Sequence, residues 1–90
     1  MQSHVSDIVV STAGRDAGGH FLVLREDETF LWLANGKLRR AERPKRKKRR
    51  HTAYAGACDA RTRQKLLETG RLTNSDIRKA LDLWFGYNQN

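Results

Sequence analysis

At 90 residues the chain holds about one domain. Domains this short bury only about 60–65% of the surface the unfolded chain exposes, so the core is small. Its 18 Lys and Arg outweigh 10 Asp and Glu to give a formal charge of +8, and its one cysteine, Cys58, rules out an intrachain disulfide and fits a reducing compartment. No apolar run approaches the ~18 residues of a membrane span. No basic segment followed by an apolar stretch opens the chain as a signal peptide would. The expectation is a cytoplasmic monomer with no membrane partner.

Asp7-Ile8-Val9-Val10-Ser11 is a short β-branched run without helical spacing and reads as a strand. Gly14-Arg15-Asp16-Ala17-Gly18-Gly19 follows as a turn, its glycines free to take positive φ. His20–Arg25 and Thr29–Ala34 are apolar at consecutive positions, as strands buried on both faces are, with Glu26-Asp27-Glu28 as the polar turn between them. Phe30 and Trp32 alternate on one face of the latter. Core packing is the preferred reading for them, and stacking on unpaired bases is the alternative. Asn35-Gly36 between apolar runs is a strong hairpin signal, so Lys37–Arg40 is expected to return as a strand with Leu38 inward. Short strands at intervals of roughly 8–12 residues suggest a small barrel or sandwich.

The period then changes. Asp59–Thr69 favours helix and ends at Gly70. Thr73 and Asp76 are spaced as a capping box, and Ile77, Ala80, Leu81 and Trp84 form one apolar stripe ended by Gly86. Two helices packed on the barrel are expected, the alternative being an arm that orders only on a partner. The domain reading is a barrel over residues 1–52, including the basic segment 37–50, and a helical extension over 53–90.

Charge is concentrated in one place. Lys37, Arg39, Arg40, Arg43, Lys45, Arg46, Lys47, Lys48, Arg49 and Arg50 stand against Glu42 alone, which puts +9 there and −1 on the other 76 residues. Pro44 disfavours helix at Arg43, so the run is either a disordered linker or an extended edge strand. A nearly pure Lys/Arg octet repels itself and contributes nothing obvious to packing, which points to a polyanion. Nucleic acid is the first reading. A receptor-read localisation signal and an anionic membrane surface are the others, the latter lacking an apolar anchor or lipidation motif. Such contacts position a protein without reading sequence. His51 stands at the end of the run, where it could reach a phosphate.

Nothing resembles a catalytic or metal constellation. His4, His20 and His51 share no ligand spacing, and no H-E-x-x-H, paired-cysteine, G-x-S-x-G or Walker pattern occurs. Cys58 reads as a small, partly buried thiol. No enzyme activity, cofactor or metal is expected.

Asp7 to Leu24 resembles a KOW motif: an apolar strand, a loop of the form G-[KR]-D-x-G, and a second apolar strand. Residues Val5–Thr52 resemble the small bacterial KOW-domain RNA-binding proteins, which are similar to one group of archaeal and eukaryotic large-subunit ribosomal proteins. Asn35-Gly36-Lys37-Leu38-Arg39-Arg40, the Pro44–Lys48 run and Leu72–Leu81 match their hairpin, basic stretch and closing helix in that order. The resemblance implies a mainly β, SH3-like five-stranded barrel with a C-terminal helical extension. It also implies ribosomal or structured RNA as partner, a role in translation, and no catalysis. Gly14 and Gly18 would open and close the loop, and Gly36 would serve the hairpin. Ala17 stands where the motif often has Lys, which shifts phosphate binding to Arg15 and the Lys37–Arg50 stretch. KOW domains of transcription elongation factors bind protein. The alternative function is therefore a protein-interaction module of the transcription or translation machinery, using the barrel or Leu81, Trp84 and Phe85.

Overall fold

The β-branched and apolar runs form strands β1 (Asp7–Ser11), β2 (His20–Glu26) and β3 (Phe30–Ala34) in the computed structural model, which describes residues 3–88. Two further strands, β4 (Lys45–Lys48) and β5 (Thr52–Ala57), complete an antiparallel sheet in the order β4-β3-β2-β1-β5. Helices α1 (Ala60–Thr69) and α2 (Asn74–Asn88) follow.

The continuous apolar runs have a direct cause: the central strands are covered on both faces. Val9, Phe21, Val23, Leu31 and Leu33 bury one another on the concave face. On the other, Ile8, Leu22 and Ala34 pack under Leu66, Leu72, Ile77, Ala80 and Leu81 of the helical segment. Burying a side chain such as Ile77 contributes about 1.5–3 kcal/mol, so the helices are part of the folded unit.

Register shifts at Ile8/Val9 and Val23/Arg25 bend the sheet. The curl brings Val9 of β1 and Leu31 of β3 to one small cavity of about 170 Å³. A 3-10 turn at Arg49–His51 links β4 to β5. Its Arg49 N–H donates to the Thr29 carbonyl, and its His51 carbonyl accepts from the Thr12 N–H. No ladder joins β4 to β5 among the described residues, so the sheet is open where a closed barrel was expected.

Three local expectations are corrected. Lys37–Arg40 does not return as a strand, and Leu38 is 90% exposed instead of inward. Asn35 Oδ1 accepts from the Lys37 and Arg39 N–H groups and closes a loop on itself. That loop docks on α2: Arg78 Nη1 donates to the Gly36 carbonyl, and the Ala41 N–H donates to Asn74 Oδ1. Gly36 has φ +76° and lies so close to α2 that a Cβ would meet the Asn74 carbonyl oxygen at 2.6 Å. The basic run supplies the fourth strand instead. The boundary at residue 52 also moves, because β5 pairs with β1 across it and ties the second segment into the sheet.

The third correction is the end of α2, which continues past Gly86 to Asn88. Its start follows the capping box: the Asp76 N–H donates to Thr73 Oγ1 at 3.0 Å and the Thr73 N–H to Asp76 Oδ2 at 2.9 Å. Asp59 caps α1 by accepting from the Thr62 N–H, and Gly70 ends it at φ +73°.

Candidate nucleic-acid interface

A strand made of Lys-Arg-Lys-Lys has no apolar alternation to orient it, so its partner strand decides the faces. β4 pairs only with β3, opposing Leu33 with Lys45, Leu31 with Lys47, Trp32 with Arg46, and Phe30 with Lys48. Lys47 is carried to the concave side and buried. Its Nζ donates to the Ala13 carbonyl at 2.6 Å, pinning the glycine loop to the edge strand.

Three more cations of the run are held by acids. Arg39 grips Asp16 through Nε and Nη2, at 3.3 and 3.0 Å. Arg40 pairs with Glu42 at 3.1 Å. Arg49 donates to Glu26 Oε2 at 2.6 Å and to the Asp27 carbonyl through Nε and Nη2. Burial pushes the Glu26 carboxyl up, but hydrogen bonds from Ser3, Arg49 and the His4 amide, with the charge of Arg49, leave it below the ordinary value. The Phe30 and Thr29 amides hold Asp27 below its own ordinary value. Glu26 therefore meets Arg49 as a carboxylate at neutral pH, while Asp27 contributes its backbone carbonyl.

Lys37, Arg43, Lys45, Arg46, Lys48 and Arg50, with Arg15 on the glycine loop, are exposed, and none has a carboxylate partner among the described residues. Lys45, Arg46 and Lys48 lie on β4, Arg43 just before it and Arg50 on the turn after it, whereas Lys37 sits on the loop docked against α2, beside His20 and Phe85. The predicted set thus splits into Arg39, Lys47 and Arg49, which tie loops together, Arg40, which is exposed and paired within its own loop, and an outer group facing solvent without a carboxylate. Gly14 and Gly18 take φ of +76° and +87°, the conformations that let the loop fold back on β1.

Phe30 and Trp32 are not in the core. They lie half-buried on the helix side of the sheet, where the guanidinium of Arg46 sits 4.4 Å from the Phe30 ring centre and that of Arg25 sits 4.7 Å from the Trp32 ring centre. Arg25 escapes sequence reasoning for a definite reason. Simple alternation would put it on the Val23 face, but the register shift at Leu24 pairs it with Trp32.

The other singled-out residues have structural surroundings. His20 packs on Trp84 and Phe85, with ring centres 5.2 and 4.8 Å away, and His4 Nδ1 lies 3.0 Å from Asp7. His51 is half-buried in the 3-10 turn. Burial, reinforced by Asp59, pushes the Cys58 thiol up, away from the thiolate form that reacts. Leu81 is buried against the sheet, and Trp84 packs over Gly56; only Phe85 of the expected docking stripe is exposed. No helix is long and apolar enough to cross a membrane among the described residues.

No protein-family model matches the chain, and no curated protein matches it either.

Proposed function

We propose that this protein is a non-catalytic RNA-binding module that holds the phosphate backbone of structured RNA, ribosomal RNA foremost, along its β4 edge. One observation carries the reading: five exposed cations without carboxylate partners, Arg43, Lys45, Arg46, Lys48 and Arg50, gather on and beside a single edge strand, and Lys37 adds a sixth on the loop docked against α2. Arg15 adds a secondary contact. Phosphates neutralised there release condensed counterions, which supplies affinity without sequence preference.

We assign the sheet to the SH3-like KOW type. Five antiparallel strands curled about one apolar cluster, over the residues that resemble the motif, support that assignment. The setting is a cytoplasmic monomer associated with ribosomes and acting in translation. The rival reading, a protein-docking module built on Leu81, Trp84 and Phe85, is weakened because the first two are occupied inside the fold.

Filter binding to one structured RNA across a salt series tests the proposal. About six neutralised phosphates give a log K against log[salt] slope of roughly −4 to −5. A slope near zero, or no binding at low salt, would overturn it.

A further inference from the structure

Phosphate binding along β4 leaves unexplained a row of side chains on the neighbouring face. Arg25, Trp32 and Arg46 stand side by side across β2, β3 and β4, and Phe30 sits next to them opposite Lys48. The Phe30 and Trp32 rings lie 6.4 Å apart, each with a guanidinium over it. The helices cover the rest of this face but stop short of this corner. There Trp32 and Arg25, with Leu24, Pro44, Leu66 and Gly70, line a groove of about 590 Å³.

Large aromatic side chains left half-buried beside a bare cationic edge are not accounted for by core packing. They offer flat apolar area, and the guanidinium planes over them offer a second layer. A nucleobase stacks on either surface. The groove volume falls within the roughly 300–1,000 Å³ of small-ligand sites. The charged residues that line it are Arg25 and Glu42, the latter engaged by Arg40, and Arg46 and Lys48 of β4 follow alongside, opposite Trp32 and Phe30.

We propose that this corner is a stacking site for an unpaired nucleobase. A single-stranded stretch of the RNA lays one base on the Trp32–Arg25 pair while its phosphates follow β4 through Arg46 and Lys48. The inference rests on the RNA reading and deepens it. A duplex keeps its bases stacked on each other, so the site selects loops, bulges and ends.

The test compares a short single-stranded RNA with an abasic sugar-phosphate chain of equal length and with the corresponding duplex. Each binds wild-type protein, Trp32→Leu and Trp32→Phe at one salt concentration. Trp32→Leu is expected to weaken binding of the base-carrying strand about tenfold, as loss of one stacked base does. Trp32→Phe should restore most of that affinity, and neither variant should change affinity for the abasic chain or the duplex. The abasic chain doubles as the check that each variant is folded with its cationic edge intact. Equal affinity of wild type and Trp32→Leu for the base-carrying strand, or equal losses on both chains, would overturn the stacking site while leaving the phosphate edge standing. Failure of wild type to bind any of the three would overturn both.

Discussion

The two edge strands share one vulnerable feature, a row of unpaired backbone groups, and differ in the charge that surrounds it. β5 carries no charged residue; Trp84 of α2 packs so close over its Gly56 that a Cβ would meet the indole nitrogen at 2.5 Å, while Ala53, Tyr54 and Ala57 stay exposed. β4 consists only of Lys and Arg, and Lys45, Arg46 and Lys48 are exposed. Charged edges resist pairing with other chains, so repulsion guards β4, a protection that the uncharged β5 lacks. The lesson is that the bare edge remains available. A strand kept open by cations is a template for a polyanion, whereas an edge strand without charge is not.

The largest effect expected lies away from both edges, where α2 packs on the central strands. Ile77→Ala removes a fully buried side chain joining α2 to the sheet, at a cost of about 2–5 kcal/mol. Urea denaturation should show that loss, while RNA affinity measured where the variant is folded stays unchanged. Unaltered stability would mean that the helices are dispensable to the sheet.

A finer contrast separates neighbours within the basic strand. Lys47→Met removes the charged donor to the Ala13 carbonyl and leaves it only the Ser11 hydroxyl, a loss of about 1.5–3 kcal/mol for a hydrogen bond to a charged group, with RNA affinity nearly intact. Lys48→Met should behave in reverse, changing stability by no more than about 0.5 kcal/mol and weakening RNA binding. Thermal melts paired with filter binding separate the two, and matching behaviour would erase the distinction between inner and outer cations.

The smallest effect concerns the seam between the helices. The Lys65 ammonium, with the Thr73 amide, holds the Asp76 carboxyl below its ordinary 3.8. A depressed folded pKa means that the stabilisation is complete above 3.8 and lost as pH falls through the folded value. Asp76→Asn is expected to lower Tm slightly at neutral pH and to flatten its decline in acid. Parallel acid profiles for variant and wild type would show that the seam adds nothing.

Much of this was legible because it is local. Strands β1 to β3 follow from apolar runs between turns, and the two helices from the helix-favouring stretch Asp59–Thr69 and the Thr73–Asp76 box. What was not legible depends on contacts distant in sequence. The Asn35-Gly36 hairpin signal is overridden because Asn74 and Arg78, more than thirty residues later, hold the loop. Within Lys45–Lys48 every residue is cationic, so no periodicity marks Lys47 as the one turned inward. Arg25 is displaced by a register shift that no alternation pattern contains. The basic run was therefore visible as a site in the sequence, but its division into anchors and free charges was not.

That division is the centre of the account, and two charge-matched triple variants test it most directly. Lys45, Lys48 and Arg50 are changed to Ser in one, and Arg39, Arg40 and Arg49 in the other, removing the same charge from the same segment. Salt-dependent RNA binding is then measured for each. The account predicts that the first variant loses about 2–3 from the magnitude of the salt slope and keeps its Tm. The second should keep most of its slope and lose Tm, as its loops come free of Asp16 and Glu26. Equal losses of slope in the two variants would contradict it.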